Sequence, residues 1–333
     1  MTSARTPHAR FGRRAFLAGA TGLAAAGLSA CAGGSPAGRA APAARIPNKF
    51  GTAEVPAAPG NIVTLGITDH DAALPLGVVP AGLTQWGPWQ SGVGPWVEPM
   101  LRGQHPKLLG SEVDVEQVIA LAPEVIVGLQ SALTQDQYNR LSAFAPVVAQ
   151  PPGSIDYGVN WRVQAETMGR ALGKKAEADR LIADTQTRID RTRQANPQFE
   201  GRTHVTVRTD SAGTYAAYTK QDARTALLEQ LGLKLAPSID DLDDGGKFNV
   251  KVSKEQVSLL DADVVIVTTA KPSDVATVRA DPLLNNLPAA KRGSLLLLDD
   301  YDVTMALGSA TVTSIPFALQ RLTPMITQAL QRA

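Results

Sequence analysis

Three of the four tryptophans in this 333-residue chain lie between residues 86 and 96, at Trp86, Trp89 and Trp96. Two of them end a repeated tripeptide, Gly87-Pro88-Trp89 and Gly94-Pro95-Trp96. Glycine and proline at this density exclude a regular helix or a central strand, so the indoles sit on a stiff loop. A stiff loop loses little entropy when it grips a ligand, and indole faces cover large flat or apolar surfaces. Plugging the core is the other use of the same rings. A second group of recognition residues lies in the other half of the chain: Arg208, Tyr215 and Tyr218, then Lys271 and Tyr301. Arginine offers a bidentate fork, and tyrosine a hydroxyl, to the oxygens of a ligand. The expected role of this set is ligand contact without bond chemistry.

Catalysis finds little support. Neither a Gly-x-Ser-x-Gly nucleophile elbow nor a Gly-x-x-x-x-Gly-Lys-Ser/Thr phosphate loop occurs. Thr68-Asp69-His70-Asp71 groups metal-type side chains, but consecutive residues of a helix cannot all face one ion, and no histidine pair at i, i+4 supports them. Asp240-Asp241-Leu242-Asp243-Asp244-Gly245-Gly246 is similar to a calcium loop. Counted from Asp241, however, Val252 stands where the closing glutamate belongs, so the segment reads as a solvated acidic loop. The expectation is a protein that is not an enzyme and has no metal site and no resident cofactor.

The only cysteine, Cys31, ends the run Leu28-Ser29-Ala30-Cys31. Upstream stands Gly12-Arg13-Arg14-Ala15-Phe16-Leu17, a twin-arginine pattern, and then an uncharged Ala/Gly-rich run over residues 15–30. That run is short and glycine-rich for a membrane span. The layout is that of an exported lipoprotein. Residues 1–30 are a twin-arginine signal peptide, Cys31 is the lipidated mature N-terminus, and residues 31–45 are a flexible tether. Two acyl chains suffice for stable anchoring. A single cysteine leaves no intramolecular disulfide despite the oxidising location. Loss of residues 1–30 removes four arginines and no carboxylate, taking the net charge from +1 to −3. Nothing in that balance points to nucleic acid.

The elements that carry these residues alternate. Residues 61–66 read as a buried strand, and Thr68 with Asp71 as a capping box opening a short helix that stops near Gly77. Residues 79–86 form a second strand ending at Trp86. An amphipathic helix over 113–121, a strand over 124–129, a helix over 134–144 and a strand at 147–149 follow. Such alternation with short turns argues for a parallel α/β lobe over residues 46–158. Residues 159–196 are long and charged and predict one bridging helix about 50 Å long, with Gly173-Lys174-Lys175 as a candidate kink. Alternation resumes over residues 197–333. The strands there are expected at 203–209, 263–269 and 294–298. Helices are expected at 222–231, 253–260, 273–280 and 309–330, the last kinked by Pro316 and Pro324. A Glu-Gln-Val helix running into an apolar strand occurs twice, at residues 115–127 and 254–267, so the two lobes look like variants of one plan.

The ordered set carries a family likeness. It comprises the lipoprotein signal, Leu76-Gly77-Val78-Val79-Pro80-Ala81-Gly82 after the first strand and helix, the segment from Glu116 to Val127, the long helix and the second Glu-Gln-Val segment. Asp281-Pro282-Leu283 and Gly293-Ser294-Leu295-Leu296-Leu297-Leu298-Asp299 complete it. From about Ile46 onward the chain resembles the ABC-transporter substrate-binding proteins for ferric siderophores, haem and vitamin B12. Within them it is most similar to the FecB-like lipoproteins of actinobacteria. The resemblance implies an α/β fold of two Rossmann-like lobes with central parallel sheets, bridged by one long α-helix, with the ligand cleft between the lobes. It also implies a monomer that captures a ferric siderophore, or alternatively haem or a corrinoid, and hands it to an ABC permease dimer. Iron would enter only as part of the chelate. Glu116 and Glu255 match the paired glutamates that dock on permease arginines, one per lobe, and an aromatic is common at the position of Tyr301. Loops after Trp86, Leu129, Thr209, Thr269 and Asp299 are expected to line the cleft. Cations near them are few (Arg208, Lys271, Arg102), which favours a neutral hydroxamate chelate or haem over a tricatecholate. Outside the class, the alternative is a sensor lipoprotein without transport.

Overall fold

The computed structural model describes residues 43–209 and 215–332. The expected signal peptide, Cys31, the tether up to residue 42 and the stretch 210–214 lie outside the described residues. The first described element is an antiparallel hairpin that the sequence reading missed, β1 (Ala44–Asn48) with β2 (Gly51–Val55). It takes up Ala44 and Arg45, the last residues of the segment expected to be tether. Ile46, Ala53 and Val55 alternate inward onto the core of the first lobe.

Short all-apolar runs become buried parallel strands. β3 (Ile62–Thr64), β4 (Gly82–Thr84), β5 (Lys107–Leu109), β6 (Val125–Gly128) and β7 (Val147–Ala149) form a parallel sheet in the order β5-β4-β3-β6-β7. The connecting segments include α1 (His70–Ala73), α2 (Val115–Ala120) and α3 (Gln135–Ser142). The strand order reverses between β3 and β6, which makes that point the lobe's topological switch.

The bridge is two helices, α4 (Trp161–Ala171) and α5 (Lys175–Ala195), and not the single helix expected. Gly173 turns the chain with φ +66, and a Cβ on Gly169 would lie 2.4 Å from Ala178, so α4 folds closely against α5. The 21 residues of α5 span about 31 Å rather than 50. The pair still joins the lobes: Met168 and Leu172 pack into the first core, Trp161, Ile182 and Ile189 into the second.

In the second lobe, β8 (Thr203–Thr209), β9 (Tyr215–Tyr218), β10 (Lys234–Leu235), β11 (Asn249–Val252), β12 (Val264–Thr269) and β13 (Leu295–Leu297) build one sheet. Its order is β11-β9-β8-β12-β13, with β10 against β8. β8, β12 and β13 form the parallel core; β9 and β11 add antiparallel at one side. Too few residues separate β8 from β9 for a parallel crossover, so they pair as a hairpin. Around the sheet lie α6 (Ala223–Gln230), α7 (Pro237–Asp240), α8 (Val275–Arg279), α9 (Pro282–Asn285), α10 (Pro288–Arg292), α11 (Tyr301–Ser309) and α12 (Ser314–Leu330). The helix expected over 309–330 thus starts later, because Ala310 adopts a left-handed φ of 39° and separates α11 from α12. The echo of the Glu-Gln-Val segment is also partial. Asp114 caps α2 by accepting from the Glu116 and Gln117 amides, whereas Ser253 makes no such bond and residues 254–260 form a 3-10 turn.

Candidate ligand-binding cleft

Between the lobes, the ends of β4, β8, β9 and β12 and the first turns of α6 and α11 enclose a cavity of about 330 Å³. Its wall includes Trp86 from the first lobe and Arg208, Tyr218, Arg224, Tyr301 and Thr304 from the second. Strand ends facing an interlobe space are where open α/β sheets bind ligands. Two larger hollows, about 440 and 520 Å³, are lined by residues of α5 and α12 with Asn196 and Gln331, and by no strand end.

Arg224 is the residue that sequence reasoning missed. Asp222 caps α6 through the Arg224 amide and also accepts from Arg224 Nη1 at 2.8 Å. The guanidinium lies over the Tyr218 ring, 4.1 Å from its centroid. Gly308 of α11 makes the room, since a Cβ there would come within 2.4 Å of Arg224 Nη2. Burial works against the Arg224 charge; the carboxylate of Asp222 outweighs it and keeps the group protonated. Its signal was in the sequence. Arg224, Leu227, Leu228 and Leu231 fall at i, i+3, i+4 and i+7, so an arginine occupies a core-facing position.

The Nε atoms of Arg208 and Arg224 are both buried and, among the described residues, lack hydrogen-bond partners. Buried donors are normally satisfied, so an unspent pair beside a cavity is a place for an acceptor to arrive. Tyr301 closes the wall, its hydroxyl donating to the Ala270 carbonyl at 3.0 Å. Burial raises its phenol above the ordinary range, with Arg208 pulling it back.

The tryptophan loop divides. Trp86 lines the cavity, but Trp89 and Trp96 turn to other partners. Trp89 Nε1 donates to Asp302 Oδ1 of α11 at 3.0 Å, and Trp96 Nε1 to the buried Asp71 Oδ2 at 2.7 Å. The doubled tripeptide has a steric reason. Each indole folds back over the glycine two residues before it, where a Cβ would lie 2.3 Å from the Trp89 ring or 2.4 Å from the Trp96 ring.

Other expected site residues land elsewhere. Tyr215 is in the second lobe's core with Val205, Val207 and Val265, its hydroxyl donating to Asp281 Oδ2 at 2.5 Å. Strand alternation sends Tyr218 to the opposite face, toward the cleft. Lys271 is exposed just beyond Ala270 and is not part of the cavity wall. Glu116 is exposed in the first turn of α2, paired with Arg140 at 2.7 Å, and Glu255 is exposed on the 3-10 turn. The capping box expected at Thr68 and Asp71 does not form: both side chains are buried, Thr68 accepting from Gln164 and Asp71 from Trp96 and Thr311.

The sequence profile of the periplasmic binding protein family matches residues 63–301. The chain belongs to that family. It is similar to a probable siderophore-binding lipoprotein of Bacillus subtilis, 27% identical over 279 residues that cover 79% of this chain and 82% of the relative. Its fold is similar to that of a periplasmic solute binding protein of Mycobacterium smegmatis, with a TM-score of 0.76, 29% identity, and 86% of this chain and 98% of that one covered. It also resembles the PiaA protein of Streptococcus pneumoniae in complex with ferrichrome, with a TM-score of 0.73, 26% identity, and 87% and 99% covered. By that membership the chain is an extracytoplasmic solute-binding protein.

Proposed function

We propose that this binding protein captures an anionic ferric chelate bearing carboxylates in the interlobe cleft and delivers it to an ABC permease. The observation that carries the reading is the pair of guanidinium side chains, Arg208 and Arg224, on one cavity wall, with only one carboxylate paired to them among the described residues. Asp222 balances one of the two charges, so a net positive charge faces the ligand. A carboxylate answers that net charge, whereas a neutral chelate leaves it unmatched. Arg224 was absent from the cations counted in the sequence, and it reverses the expected preference for a neutral hydroxamate. Trp86 and Tyr301 supply flat faces for the chelate body. A neutral hydroxamate is the second reading, on the strength of the ferrichrome complex of the pneumococcal relative.

Delivery runs through Glu116 and Glu255, exposed on different lobes, which meet arginines of a permease dimer. Such exposed carboxylates set register and steering more than affinity. The protein acts as a monomer of the FecB-like actinobacterial type, held at the extracytoplasmic face of the cell membrane by lipid on Cys31 after twin-arginine export. Tryptophan-fluorescence titration with ferric citrate, ferrichrome and haem tests the ligand class. Ferric citrate should bind most tightly, and a chain that responds only to haem would sink the reading. With Glu116→Arg and Glu255→Arg combined, ligand affinity should persist while cellular uptake is lost.

A further inference from the structure

We infer that Trp89 and Asp302, with Trp96, Asp71 and Thr311, are positioning residues that brace the cleft at its binding width before ligand arrives; this rests on the cleft assigned above. The bridge of α4 and α5 joins the lobes through their two cores. The tryptophan loop supplies a second connection on the cleft side. Trp89 Nε1 of the first lobe donates to Asp302 Oδ1 of the second at 3.0 Å. Thr311 Oγ1 of the second lobe donates to Asp71 Oδ2 of the first at 2.8 Å, on the same oxygen that takes Trp96 Nε1.

Apolar contact runs along the same seam. The Trp89 and Trp96 rings meet edge to face with centroids 5.2 Å apart. Trp96 lies 5.6 Å from Phe317 of α12, and Arg321 caps Phe317 at 3.6 Å. Backbone strain is spent on the same contact: Ala310, a non-glycine residue at φ 39°, makes the reversal that aims Thr311 at Asp71. The seam is coupled directly to the cavity wall. Asp302 follows the wall residue Tyr301 on α11, and Trp89 lies three residues after the wall residue Trp86. Fixing the Trp89–Asp302 distance therefore fixes the separation of the two walls, which lowers the ordering cost of binding.

The experiment uses the full chain and two readouts: hydrogen–deuterium exchange without ligand, and titration with ferric citrate. Trp89→Phe keeps the ring and deletes the N–H, Asp302→Ala deletes the acceptor, and Asp302→Asn retains one. Trp89→Phe and Asp302→Ala should each speed exchange in residues 86–97 and 301–313 and weaken ferric citrate roughly fivefold to tenfold, with melting temperature little changed. Their combination should be no worse than either alone, and Asp302→Asn should behave like the wild type. The brace is refuted by additive single effects, by Asp302→Asn failing as badly as Asp302→Ala, or by unchanged exchange. If the wild type ignores ferric citrate, the ligand class fails, and the exchange arm alone decides the brace.

Discussion

The two lobes treat their strand ends in opposite ways. In the first, the topological switch between β3 and β6 is filled from within by the buried carboxylate of Asp69. It accepts from the amides of Gly66, Leu129 and Gln130 at 3.1, 2.8 and 3.2 Å and from Gln164 Nε2 at 3.0 Å. Burial pushes its pKa up, and Gln164 and the Leu129 and Gln130 amides hold it down. In the second lobe the donors at the strand ends, Arg208 and Arg224, are left with capacity to spare. The same architecture thus yields one lobe that has satisfied its own anion site and one that awaits an anion from outside. On the proposed reading, recognition by charge belongs to the second lobe, and the first contributes an aromatic face and the brace.

That contrast can be broken at several points. The largest effect is expected from Asp69→Ala, which strands four donors in the first lobe. Chemical denaturation should show a loss of at least about 3 kcal/mol, with ferric citrate affinity held in whatever fraction stays folded. A drop in affinity without a loss of stability would mean that the first lobe's switch point is itself a ligand site.

Next come the arginines, which separate two kinds of cost. Arg208→Met should weaken ferric citrate by about tenfold to a hundredfold and change the melting temperature little, because among the described residues it makes no salt bridge and adds only the smaller share of the charge that holds Asp222. Arg224→Met should weaken binding as much and also destabilise, because Asp222 loses the partner of a buried pair. Equal stability of the two variants would contradict the ion-pair role of Arg224.

At neutral pH the smallest difference is set by the buried histidines. His70 lies 3.4 Å from Asp71, and burial lowers its pKa with the two flanking aspartates opposing. Among the described residues neither ring nitrogen of His204 in β8 finds a partner, and burial pushes its pKa down to about 3. The folded state therefore holds His204 neutral while the unfolded chain takes up a proton below pH 6.5. Its contribution is present at neutral pH and is lost as pH falls from 6.5 toward 3, by about 1.4 kcal/mol per pH unit. His204→Leu should flatten the dependence of stability on pH over that interval. An unaltered slope would show that His204 does not set it.

Much of the scaffold was legible because all-apolar runs such as residues 125–127 and 264–267 can only be buried strands, and alternation with short helices orders them in parallel. Placing Trp86 at the end of a strand was enough to put it on the cleft. Less of the site could be read, for reasons that are physical. Trp89 and Trp96 take partners at Asp302 and Asp71, and Thr311 reaches Asp71 across 240 positions of sequence, a pairing that no local pattern encodes. Tyr215 and Tyr218 were equivalent until strand alternation chose the face of each. Gly173 was a visible break, but only the close approach of Gly169 to Ala178 shows that α4 folds back on α5. Arg224 carried a readable signal as a charge on an apolar stripe.

The central claim is that the second lobe's guanidinium pair selects an anionic chelate. The most direct measurement is the ratio of affinities for ferric citrate and neutral ferrichrome, taken by calorimetry on the wild type and on the Arg208→Met, Arg224→Met double variant. The account predicts a preference for ferric citrate of more than about tenfold in the wild type that disappears in the variant. A wild type that prefers ferrichrome, with the same ratio in the variant, would contradict it.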